Sequence, residues 1–82
     1  MLVEPIKYRI TDVGYDVDLF LEERCDDSWA ITDGIMCMNK NFDFEYEPSP
    51  SNRTEKFLKE FRFTFNESIE QIEKISKKNK GQ

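Results

Sequence analysis

The chain has 82 residues and no histidine. That absence removes Ser-His-Asp and Cys-His catalysis, imidazole general-base chemistry and His-ligated zinc together. Carboxylate, lysine or tyrosine chemistry stays open, but no spacing arranges those groups for it, so a non-enzymatic protein is expected. Only two cysteines occur, Cys25 and Cys37. They are too few for a disulfide framework and lack metal-finger spacing, so free thiols in a reducing cytoplasm are expected. Asp16, Asp18 and Asp43 do not follow the spacing of a calcium loop, and acids spread over a flat sheet do not converge. No metal and no cofactor is therefore expected. No run of about 18 apolar residues could span a membrane. The start "MLVEPIKYRI" lacks a basic segment followed by an apolar one, so no signal peptide is expected.

What is present fits one small domain over residues 1–82, because a chain of this size cannot fill a second core. Aromatic residues make up 13 % of it, with seven phenylalanines, enough for a real core. The net charge of −5 is unevenly spread. Residues 1–47 hold 12 acids against 4 bases, while residues 48–82 hold 5 acids against 8 bases. The acidic half would repel phosphates, so direct binding of nucleic acid is not expected; a protein partner with a basic surface is.

Period-two alternation marks the first half as strands. In "PIKYRIT", Ile6, Tyr8 and Ile10 alternate with Lys7, Arg9 and Thr11; in "YDVDLFLEE", Tyr15, Val17, Leu19 and Leu21 lie opposite Asp16, Asp18, Phe20 and Glu22. A four-residue loop ending at Gly14 would set Ile10 opposite Tyr15. Asp33-Gly34 between two apolar runs predicts a two-residue type I′ hairpin with Thr32 opposite Ile35. "NKN", residues 39–41, predicts a three-residue loop that sets Met38 opposite Phe42. "FDFEYE" would be the fifth strand, closed by Pro48. Helices follow: Asn52 with Glu55, and Thr64 with Glu67, have capping-box spacing; Phe57, Leu58 and Phe61 form the apolar side of the first, and Phe65, Ile69, Ile72 and Ile75 a helical stripe on the second. The stretch "FRFTF" is ambiguous, because Phe61, Phe63 and Phe65 would also alternate as a sixth strand.

The predicted fold is therefore α+β: a five-stranded antiparallel β-meander over 1–47, with one or two C-terminal α-helices packed across one face. The helical segment is residues 48–80, with a frayed end. Strand parity places Trp29, Ile31, Met36, Met38, Phe42, Phe44 and Tyr46 on the core face with Ile6, Tyr8, Ile10, Tyr15, Val17, Leu19 and Leu21. The opposite face collects Asp16, Asp18, Glu22, Asp43, Glu45 and Glu47, with Phe20, Ala30, Thr32, Ile35 and Cys37 among them. An antiparallel sheet has polar residues toward water anyway. Phe20, Ile35 and Cys37 inside that acidic rim instead suggest a protein-binding surface, with Asp16, Asp18, Phe20, Glu22, Ile35, Asp43, Glu45 and Glu47 as its residues. The apolar positions would otherwise be covered by the second helix or by a second copy of the chain.

In size and charge layout the chain resembles the small acidic single-domain proteins with which phages and mobile elements block host defence nucleases. That resemblance implies an inhibitor, a nucleic-acid mimic whose acidic face occupies a basic groove on its partner. It rests on no motif and carries no residue roles. A homodimer closed across the outer sheet face is the alternative expectation.

Overall fold

The computed structural model describes residues 1, 7–14, 18–25 and 27–79, and the α+β fold is the one expected. Five strands, β1 (Lys7–Ile10), β2 (Leu19–Cys25), β3 (Ser28–Thr32), β4 (Cys37–Met38) and β5 (Phe44–Glu45), form an antiparallel sheet in sequence order, not closed into a barrel. A 3₁₀ turn, Pro50–Asn52, precedes two helices, α1 (Glu55–Phe61) and α2 (Phe65–Asn79). Ile6, Tyr15, Asp16 and Val17, named above, and the last residue of the 48–80 segment lie outside the described residues.

The core face follows strand parity. Leu19, Leu21, Trp29, Ile31 and Met38 are buried on it, closed by Val13, Phe63 and the α2 residues Ile72 and Ile75. Ile10, Phe44, Phe65 and Ile69 pack around them. The helical stripe is therefore used as expected. Thr64 and Glu67 form the reciprocal capping box: Glu67 Oε1 accepts from Thr64 N at 2.8 Å and Thr64 Oγ1 from Glu67 N at 3.1 Å.

The turns are longer than expected. Thr32 pairs with Cys37, not Ile35, across a four-residue turn. Only Gly34 there has positive φ, so the turn is not type I′; the Asp33 carboxylate accepts from the N–H groups of Ile35 (2.9 Å) and Met36 (2.8 Å) instead. Likewise Met38 pairs with Phe44, not Phe42. Asn39 Oδ1 accepts from Asn41 N and Asp43 N, which stretches the loop to residues 39–43 and turns Phe42, at φ +71°, out to 40 % exposure. Phe42, Tyr46 and, on the end strand β1, Tyr8, all expected in the core, are exposed. Ile10 pairs with Leu19 and not Tyr15, because the connection is long enough to tuck Val13 into the core.

The first helix takes the other face. Phe61 is buried against Ala30 and Cys37, with Phe57 stacked on Phe61 at 4.4 Å between ring centres. Phe63 then exchanges two main-chain hydrogen bonds with Trp29 (2.7 and 3.0 Å), filling the edge of β3 that the two-residue β4 leaves open. "FRFTF" thus ends one helix, makes one bridge and starts the next. The sheet lies between α1 and α2. Asn52 belongs to the 3₁₀ turn and not to a cap; Thr54 caps α1, accepting from Phe57 N at 3.1 Å. Thr54→Ala is accordingly expected to cost about 1 kcal/mol in chemical denaturation and Asn52→Ala a few tenths at most. Equal losses would return the cap to Asn52.

Candidate functional site

The α1 face of the sheet was expected to present a row of carboxylates to water. For Glu47 that does not hold. Its side chain is 15 % exposed and takes three guanidinium groups. Arg24 binds it through Nε and Nη2 (3.1 and 2.9 Å), Arg53 approaches at 3.4 Å, and Arg62, itself 8 % exposed, donates through Nη2. Burial alone would raise the Glu47 pKa, but the hydrogen bonds and charges of Arg24 and Arg62 outweigh it and bring the carboxyl down to about 2. Arg53 also donates from Nε to the Pro48 carbonyl at 2.9 Å, so the segment after β5 folds back over the sheet. Cys37 lies beneath this cluster. Burial, then the Glu47 charge, pushes its thiol up to about 11, so it stays protonated and a poor nucleophile.

Glu22 is engaged as well. It accepts from Thr32 Oγ1 at 3.0 Å and pairs with Arg24 (3.3 Å) and Lys7 (3.8 Å). Phe20 lies under Lys7 and Arg9, whose cationic centres sit 4.9 and 5.8 Å from its ring. Asp18 meets Arg9 at 3.9 Å. The candidate surface residues therefore separate. Glu22, Glu47 and Phe20 serve internal contacts, and Asp16 lies outside the described residues. Ile35 (75 % exposed), Asp43 and Glu45 face solvent, and so does Tyr46 (74 %), which was expected in the core.

Sequence reasoning missed the arginines. Arg24 shares strand parity with Glu22, which was a readable signal. Arg53 and Arg62 reach Glu47 only through the return of the chain, which no local pattern announces. A shallow concavity of about 210 Å³, lined by Lys40, Phe63, Glu67, Glu70, Gln71 and Lys74, opens along α2. Its two lysines face two glutamates, and Glu67 is already used by the cap. Among the described residues no group of three or more His, Cys, Asp or Glu could hold a metal ion, and no helix is long and apolar enough to cross a membrane. No family model matches the chain, and no curated protein or solved structure matches it significantly.

Proposed function

We propose that the protein is a non-enzymatic protein-binding module, an inhibitor that offers carboxylates to a basic, nucleic-acid-binding site of a partner, in the manner of phage-type anti-defence proteins. The observation that supports this reading is the makeup of the last strand and its flanks. Asp43, Glu45 and the next residue along the chain, Tyr46, are all exposed at this end of the sheet, and the arginine cluster does not neutralise the two carboxylates. Exposed aromatic and aliphatic side chains next to carboxylates of one sign suit a partner that is basic and partly apolar. The binding residues are then Ile35, Asp43, Glu45 and Tyr46, with Asp18 at the margin. The homodimer alternative draws less support, because α1 occupies the Ala30–Cys37 part of the face it would use.

The test is photo-crosslinking from position 46 in extracts of the source cell. Asp43→Lys with Glu45→Lys is expected to reduce capture of a basic protein about tenfold, and so is raising salt from 0.1 M to 1 M, where the Debye length falls from about 10 Å to about 3 Å. Lys77→Glu with Lys78→Glu should change little. Capture that ignores both salt and the reversal, and is lost only in Ile35→Asp, would sink the electrostatic reading.

A further inference from the structure

The pairing register carries one row of residues across the whole sheet. Arg9 pairs with Phe20, Phe20 with Thr32, Thr32 with Cys37 and Cys37 with Glu45. The row begins at an arginine on one end strand and finishes at a glutamate on the other. Its neighbours repeat the pattern, with Lys7 beside Arg9 on the same face of β1 and Asp43 two residues before Glu45. Charges on end strands ordinarily prevent edge-to-edge pairing. That protection works when the two ends carry the same sign, since like charges placed opposite each other repel. Here the signs are opposite.

We propose that the β5 edge takes, as a partner, the β1 edge of a second copy of this chain, so that the sheet continues head to tail. The proposal rests on the reading of Asp43 and Glu45 as a binding surface and names a partner for it. Geometry restricts how the copies meet. Every neighbouring pair of strands is antiparallel and there are five strands, so β1 and β5 run in the same direction. A copy moved across the sheet, and rotated to follow the sheet's twist, therefore brings its β1 parallel to β5 with the faces matched. Arg9 then continues the row at Glu45, Lys7 falls beside Asp43, Tyr8 beside Phe44 and Ile10 beside Tyr46. Two opposite-charge contacts lie on one face and two apolar ones on the other. Turning the copy over would make the strands antiparallel but set the cations on the aromatic face.

Lys7 and Arg9 are available for this. Their side chains are 56 % and 68 % exposed, and their pairs within the chain, at 3.8 and 3.9 Å, are long and solvent-screened. The contact is heterologous and does not close on itself, so it extends into an open series with a repeat of about 24 Å, five strands at roughly 4.8 Å. Four residues on each side make a small interface, well under about 1,200 Å², so the association is weak, with a Kd on the order of 1 mM.

Sedimentation equilibrium of the full chain decides the matter. At about 1 mM protein in about 0.01 M salt, the weight-average mass should rise to roughly 1.5 times the monomer's 9.8 kDa or more, and return to the monomer value in about 1 M salt. Arg9→Glu alone and Glu45→Arg alone should each be monomeric, since each sets like charges opposite each other at the 9–45 contact and leaves only Lys7 beside Asp43. Their equimolar mixture should associate again. Arg9→Gln, which adds no charge beside Asp18, serves as the milder version, and circular dichroism melts confirm that every variant is folded. In NMR spectra of the wild type, amides of residues 7–10 and 43–46 should shift together with concentration. A mass that stays at 9.8 kDa under low salt, a mixture that stays monomeric, or shifts confined to one edge would each overturn the proposal. The monomeric Arg9→Gln chain keeps the β5 edge intact, so crosslinking to a foreign basic protein from position 46 in that variant judges the inhibitor reading separately.

Discussion

Replacing Glu47 by glutamine is expected to lower stability at neutral pH by about 3 kcal/mol, because Arg24, Arg53 and Arg62 would face one another with no anion between them. Arg62 suffers most, being nearly buried. The same residue dictates how stability changes with pH. Its carboxyl titrates near the ordinary value of 4.5 in the unfolded chain and at about 2 in the folded one. A group whose pKa is lowered by folding stabilises the protein fully above the unfolded value and loses that contribution as pH falls toward the folded one. The interval between 4.5 and about 2 corresponds to about 3 kcal/mol, in line with the cost of removing the charge. Denaturant titrations of wild type and Glu47→Gln between pH 7 and pH 2 isolate this residue from the other carboxylates. The difference should be constant above about pH 5 and shrink steadily below it. A gap that stays the same down to pH 2 would mean that the arginines do not depend on this anion.

How far the sequence discloses this molecule depends on which physical signal is asked. Faces were legible where registers were not. Thr32 pairs with Cys37 rather than Ile35, and Met38 with Phe44 rather than Phe42. Both displacements are of two residues, and an even slip leaves every side chain on its own face. The core of Leu19, Leu21, Trp29, Ile31 and Met38 follows from alternation alone. The turns were misread because a side-chain acceptor, Asp33 or Asn39, captured the N–H groups that a tighter hairpin would have used. The placement of α1 was not legible. An apolar side at Phe57, Leu58 and Phe61, of which Leu58 stays exposed, says that a helix must be covered, not by which face of the sheet. The small residues Ala30 and Cys37, adjacent on the supposedly wet face, were the available hint, since they leave room for a phenylalanine. At the candidate site the sign of the charge was readable. Which carboxylates would be spent on arginines from elsewhere in the chain was not.

Trp29→Ala should be the most damaging change in the core on the α2 side, at about 3–5 kcal/mol. The indole is 7 % exposed and is the buried member of a three-ring cluster with Tyr8 and Phe65, whose own rings meet at 5.7 Å. Its ring meets Phe65, at the start of α2, edge-on at 5.2 Å, and Tyr8, on the end strand β1, at 5.8 Å. Removing it opens a cavity at the point where β1, β3 and α2 converge. The main-chain bridge between residue 29 and Phe63 survives the substitution, because it uses only backbone groups, so the loss measures packing and not the bridge. For a domain of this size the melting temperature should drop by more than about 12 °C. Phe42→Ala provides the contrast. Strand parity put Phe42 in the same core, yet its ring is 40 % exposed on a loop, and its truncation should cost less than about 1 kcal/mol. A large loss for Phe42 with a small one for Trp29 would mean that the fifth strand begins two residues earlier and that the sheet closes on a different set of side chains.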